Sequence, residues 1–204
     1  MMMNTTKKNL TTNPSKVSNV NHVHIFKVED HEKHKPLLLE SIHQYSVAQN
    51  LDISATGRGG FLTDFYVDHD KGDPKARYKH IIDDILDPYY TELEETYGIK
   101  LIQDKGGMWF QQYTFGSDFG WHTHNGHLAM VYYIELPDPT EATEFLNYSH
   151  FNLVEGDVIF FPPMLMHRSP PIKKNTRKTV VSKNLHFTAD RDLVKLYGLE
   201  HFKH

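Results

Sequence analysis

The sequence predicts an α+β domain, mainly β, in which helices near the N-terminus buttress an antiparallel sheet. Three observations predict it. The long stretches of helical periodicity lie before Gly98. From residue 108 onward the chain consists of short segments rich in aromatic and β-branched residues, 108–115, 128–136, 143–146, 157–161 and 178–187, a composition that fits a pleated, half-buried surface. Beyond Gly98 the strands follow one another without the intervening helices that a parallel βαβ sheet would require.

Residues 1–20 are mostly Met, Asn, Thr, Ser and Lys, with one Pro and few other apolar side chains, the composition of a disordered tail; 21–204 then form a single domain. Asn21-His22-Val23-His24-Ile25-Phe26-Lys27-Val28 alternates as a strand, with His22 and His24 expected on its outward face. Pro36 before Leu37, Leu38, Leu39, Ile42 and Tyr45 predicts a helix with proline in its first turn. Thr56-Gly57-Arg58-Gly59-Gly60 reads as a turn, and 61–67 as a strand. Asp73-Pro74 opens the longest helix, where Ile81, Ile82, Ile85, Leu86, Tyr89, Tyr90, Leu93 and Tyr97 recur at helical spacing. Pro88 is expected to kink or split it, and Gly98 to end it. Gly116-Ser117-Asp118, Pro137-Asp138-Pro139, Glu155-Gly156-Asp157 and Pro170-Pro171 separate the later strands. The segment 191–203 reads as a short helix or a frayed tail.

With 204 residues the chain fits one domain with a real core. Its net charge of −4 gives no global basic field to draw it onto nucleic acid. The absence of cysteine excludes disulfides, thiolate nucleophiles and Cys-ligated metal sites. No apolar run approaches the length of a membrane span, and the first twenty residues lack a secretion-signal core, so a cytoplasmic location is the default.

Chemistry gathers at Trp121-His122-Thr123-His124, answered downstream by His167. Residues two apart on a strand share a face, so His122 and His124 would point together. A third imidazole arriving from a distant strand would complete a three-ligand site with coordination positions left open, as a catalytic metal requires. With 15 histidines in the chain, a His-x-His pair also arises by chance, and a surface pair needs no metal.

Trp109, His122-x-His124, the strand Met130-Val131-Tyr132-Tyr133-Ile134, the turn and strand Gly156-Asp157-Val158-Ile159-Phe160-Phe161-Pro162-Pro163, His167, and Arg177-Lys178-Thr179-Val180-Val181-Ser182-Lys183-Asn184 occur in that order. This constellation resembles the Fe(II)/2-oxoglutarate-dependent oxygenases, and most of all their compact branch common in bacteria and phages. The resemblance covers roughly 105–187. It implies a double-stranded β-helix, or jelly roll, with iron near its mouth, held by His122 and His167 and, where the family usually carries a carboxylate, by His124. His127 and Asp118 are nearby substitutes for that third ligand.

The resemblance also implies 2-oxoglutarate as cosubstrate, its far carboxylate anchored by Arg177, whose planar fork suits a carboxylate. Thr179 on the same strand face would add a hydroxyl, and Tyr113 or Tyr132 a further donor. Lys173, Lys174 and Lys178 read instead as solvated loop charge. Asn125 and Arg168 flank the ligands, facing substrate or orienting imidazoles, and Trp121 would wall the site. The expected activity is hydroxylation of an unidentified prime substrate with O2, releasing succinate and CO2. Two rivals stand beside it: a three-His cupin-like metalloenzyme without 2-oxoglutarate, and a non-catalytic jelly-roll binding or structural module. No membrane partner is expected, and nucleic acid is disfavoured. A homodimer is the commonest assembly for a small enzyme. A phage-encoded chain would act in the host cytoplasm.

Overall fold

The computed structural model describes residues 22–54, 59–67, 76–102, 107–148 and 151–188. The tail expected over 1–20, the turn at Thr56-Gly57-Arg58, the Asp73-Pro74 helix start and the segment 191–203 fall wholly or mainly outside the described residues.

In chain order the elements are β1 (His24–Lys27), α1 (His31–Ala48), β2 (Ile53–Ser54), β3 (Phe61–Thr63), α2 (Arg77–Tyr97), β4 (Leu101–Ile102), β5 (Met108–Tyr113), β6 (Phe119–His122), β7 (Leu128–Glu135), β8 (Glu144–Phe145), β9 (Asp157–Phe161), β10 (His167–Ser169) and β11 (Lys178–Phe187). The larger sheet runs β1-β9-β7-β11-β5-β3-β2, with β4 also on β11, and the smaller runs β6-β10-β8. Every pairing is antiparallel. Two facing antiparallel sheets with both helices on the outer side of the larger one make the expected jelly roll.

Side-chain alternation splits the core in two. Met130, Tyr132 and Ile134 of β7, Phe160 of β9, and Val181 and Leu185 of β11 face α1 and α2, meeting Leu38, Ile42, Ile82, Leu86 and Leu93. Their neighbours Val131 and Tyr133, Ile159 and Phe161, and Val180 face the smaller sheet. Because the period of a strand is two, residue parity in β11 decides which side chains enter the space between the sheets.

Two local expectations are corrected, and at Pro88 the alternative of a split helix is removed. His24 is buried rather than outward, its Nε2 2.5 Å from the Tyr97 hydroxyl, because α2 covers that face of β1. Helix α1 begins at His31, so Pro36 lies inside it rather than in its first turn. Helix α2 runs unbroken through Pro88 to a left-handed Gly98 at φ 62°. Its apolar stripe packs on the sheet on both sides of the proline, and that burial outweighs one missing backbone hydrogen bond.

Candidate metal centre

The smaller sheet brings His122 and His167 together. They are directly opposed partners across the β6–β10 pairing, and their ring centroids lie 4.3 Å apart. His124 sits two residues beyond β6, where its backbone N–H donates to the Pro163 carbonyl at 2.9 Å. The proline pair that stops β9 thus also holds the third histidine in place. One ring nitrogen from each of the three lies within 4.8 Å of the others.

The hydrogen bonds fix which nitrogen that is. His122 Nδ1 lies 2.8 Å from the Gly120 carbonyl, His167 Nδ1 2.7 Å from the Leu165 carbonyl, and His124 Nδ1 2.9 Å from Asn184 Oδ1. All three partners are acceptors, so each Nδ1 carries the proton and each Nε2 presents a lone pair. His124 Nε2 and His167 Nε2 then face one another at 3.0 Å with no proton between them, an unfavourable contact that a cation relieves. Two imidazoles bonded at a right angle to one ion at about 2.1 Å would place their nitrogens about 3.0 Å apart. Burial lowers the His124 pKa to about 4 and that of His167 to about 3, with a smaller lowering at His122. The rings are neutral ligands at neutral pH, and the donor set fits a divalent metal. His127 instead accepts the Phe187 N–H at Nδ1, and neither it nor Asp118 belongs to the cluster.

The triad opens into a cavity of about 240 Å³ between the sheets. Trp109 stacks on His124 at 5.5 Å, and Phe65 meets Trp109 edge-on. Phe65, Tyr66, Thr123, Asn125 and Arg168 also line the cavity. Arg168 donates through Nε to Glu144 at 2.6 Å and lies over the Trp121 ring, which is itself half exposed.

The buried cation in this cavity is Lys178; Arg177 does not line it. Lys178 is fully buried; its Nζ donates to the Glu141 carbonyl at 2.7 Å and to Ser169 Oγ at 2.6 Å, above the Tyr113 ring. An ammonium carries three donors, so one remains for a ligand. Burial pushes the Lys178 pKa down to about 7, with the Glu141 and Glu144 charges pulling it back up.

Arg177 and Thr179 share a strand face, as expected, and that face is turned away from the cavity. The Arg177 side chain is 47% exposed and bridges Glu135 through Nε at 2.7 Å and Nη2 at 2.9 Å. Thr179 is buried and bonds Glu135 and Gln112. Neither lines the cavity. The parity of the strand carried this signal: Val181, Leu185 and Phe187 mark the helix-facing side, leaving Lys178, Ser182 and Asn184 on the other. Lys174 pairs with Asp138, so that part of the basic run is indeed surface charge.

No protein-family model matches the sequence, and no curated protein matches it significantly. Solved structures do. A prolyl hydroxylase from Trichoplax adhaerens, in complex with a hypoxia inducible factor oxygen-degradation-domain peptide, superposes with a TM-score of 0.55 at 12% identity, over 89% of this chain and 88% of that one. The fold is that of the 2-oxoglutarate oxygenases. The carbocyclase SnoK from nogalamycin biosynthesis, described as non-heme and alpha-ketoglutarate-dependent, gives 0.58 at 9% identity over 83% and 81%. HygX from Streptomyces hygroscopicus, with nickel, 2-oxoglutarate and hygromycin B bound, gives 0.52 at 13% over 79% and 81%. Among the described residues, no helix is long and apolar enough to cross a membrane.

Proposed function

We propose that this chain is an Fe(II)- and 2-oxoglutarate-dependent oxygenase, with His122, His124 and His167 holding the metal. The observation that carries the reading is the convergence of three bare Nε2 lone pairs on a cavity that ends in one buried cation, Lys178. When bound, the metal and 2-oxoglutarate supply the oxidising power, and the reaction consumes O2 and releases succinate and CO2. The chain's own groups bind and orient. Lys178 meets the far carboxylate of the cosubstrate through its remaining N–H, with Ser169 and Tyr113 bordering the same end of the cavity. Val131, Val180 and Phe61 keep that end dry, which strengthens the charge pairing. Trp109, Phe65 and Tyr66 line the side open to a prime substrate. Hydroxylation is the reaction class this arrangement suits.

The test is anaerobic addition of Fe(II) and 2-oxoglutarate to the apo-protein, following the weak visible charge-transfer band of the chelate. The band should require both components, vanish in His167→Ala, and need far more 2-oxoglutarate in Lys178→Ala. A three-His metalloenzyme that does not use 2-oxoglutarate is the second reading, favoured by His124 standing where a carboxylate is usual. It predicts stoichiometric iron and no band.

A further inference from the structure

Resting on the proposed metal centre, we infer that Asn184 is the positioning residue that makes His124 a ligand, the two side chains together standing in for a carboxylate as a neutral unit. The three imidazoles are not held alike. His122 and His167 each donate Nδ1–H to the backbone carbonyl two residues upstream, Gly120 and Leu165. Those two restraints are local, and no side-chain substitution deletes them. His124 lies in the loop after β6, and its Nδ1–H goes to a side chain sixty positions away, Asn184 Oδ1 at 2.9 Å.

Stacking on Trp109, at an interplanar angle of 19°, fixes the plane of the His124 ring but not which edge faces the centre. A half-turn about χ2 keeps the stack and exchanges Nε2 for Cε1. Among the described residues, Asn184 is the acceptor that holds Nδ1 on the outer edge and so turns Nε2 to the centre. The amide also differs from a carboxylate partner in carrying no charge, so the metal keeps its full double positive charge on three neutral ligands.

The fold places Asn184 tightly. It shares the cavity-facing parity of β11 with Lys178, Val180 and Ser182, and it pairs with Ala129 of β7. Its N–H donates to the Gly107 carbonyl at 2.8 Å. A Cβ at Gly107 would stand 2.9 Å from the Asn184 carbonyl oxygen, and one at Gly126, where φ is +95°, would stand 3.5 Å from the Asn184 Cβ. Gly107 therefore lets neighbouring backbone close on Asn184, while the tight approach at Gly126, 3.0 Å, is to the Leu185 carbonyl next along the strand.

The experiment is anaerobic Co(II) titration of the full chain, read by the visible absorption of the bound ion, in wild type, Asn184→Leu, Asn184→Asp and His124→Asp, and in the His124→Asp/Asn184→Leu double variant. Asn184→Leu should weaken Co(II) by about 10–100-fold, whereas Asn184→Asp, which keeps the acceptor, should bind at least as tightly as wild type. In the His124→Asp background the Leu substitution should change affinity less than about threefold, since no imidazole is left to orient. Wild-type affinity in Asn184→Leu, an equal loss in both backgrounds, or a loss in Asn184→Asp matching that of Asn184→Leu would each overturn the inference. Should Asn184→Leu not fold, ¹⁵N spectra of the wild-type histidines decide: His124 protonated at Nδ1 supports the inference, and at Nε2 overturns it. Wild-type protein that takes up no stoichiometric Co(II) would overturn the metal centre itself, and this inference with it.

Discussion

Arg177 and Lys178 are adjacent in the chain and serve opposite sides of one strand: Lys178 Nζ is buried between Ser169 and the Glu141 carbonyl, while Arg177 is half exposed and clamped on Glu135. Substitutions should separate them sharply. Lys178→Ala is expected to weaken 2-oxoglutarate by roughly 10–100-fold, the range of a hydrogen bond to a charged group, with iron affinity little changed. Arg177→Ala removes a surface ion pair worth under about 1 kcal/mol and should leave cosubstrate affinity within about twofold. Titration of the charge-transfer band in both variants measures this, and a reversed order would restore Arg177 as the anchor.

The same ammonium makes a pH prediction. Burial holds the Lys178 pKa at about 7 in the folded chain, against an ordinary value of about 10.4. A carboxylate needs the protonated form, so above pH 7 binding must be accompanied by proton uptake. At pH 8 calorimetry in buffers of differing ionisation enthalpy should register about 0.9 proton taken up per 2-oxoglutarate, and at pH 6 close to none. Apparent affinity should fall with rising pH across that interval, and the dependence should disappear in Lys178→Met. For stability the sign is the opposite. Between about 7 and 10 the unfolded chain holds a proton that the folded chain lacks, so Lys178 makes stability climb with pH.

The placement of Arg177 outside the cavity shows where legibility in the sequence ended. Element types read well, because 157–161 and 178–187 recur as β9 and β11 with the same bounds and β7 ends one residue from its expected end. The convergence of the three histidines was legible too, since a two-residue spacing and a turn-bounded strand leave few geometries. Parity did not. Lys173, Lys174, Arg177 and Lys178 look alike as charges, and a one-residue choice moves every side chain to the other face. The unbroken course of α2 through Pro88 was not legible, because the packing that carries the helix through the proline comes from strands distant in sequence. Asn184 was invisible as a positioning residue for the same reason: its partner lies sixty residues earlier, in a loop.

Metal should stabilise the fold by linkage. Each ligand comes from, or abuts, the smaller sheet, and a cation bound only by the folded chain adds about 4 kcal/mol at a thousandfold excess over its Kd. Excess Co(II) is therefore expected to raise the melting temperature of wild type by about 8–16 °C for a domain of this size, with chelator reversing the shift. His122→Ala and His167→Ala should lose most of it. An undiminished shift in His167→Ala would locate the ion elsewhere.

The helix-facing side of β11 carries a second buried lysine, and it should behave quite differently from Lys178. Lys183 is completely buried, with Nζ 2.7 Å from Asp83 Oδ1 on α2 and above the Tyr90 ring. It does not line the cavity at the histidines, and a carboxylate neutralises it, so its role is to lock α2 to the sheet. Asp83→Ala leaves an unpaired ammonium in the core and should cost about 3–5 kcal/mol, seen as a fall of roughly 6–20 °C in melting temperature. Asp83→Leu combined with Lys183→Met removes both charges and should recover most of that loss, because apolar packing of similar volume replaces a desolvated pair at little net cost. Co(II) and 2-oxoglutarate affinities should stay unchanged in the double variant. A double variant as unstable as Asp83→Ala would mean that the contribution of Lys183 lies in its stem and the Tyr90 contact rather than in the pair.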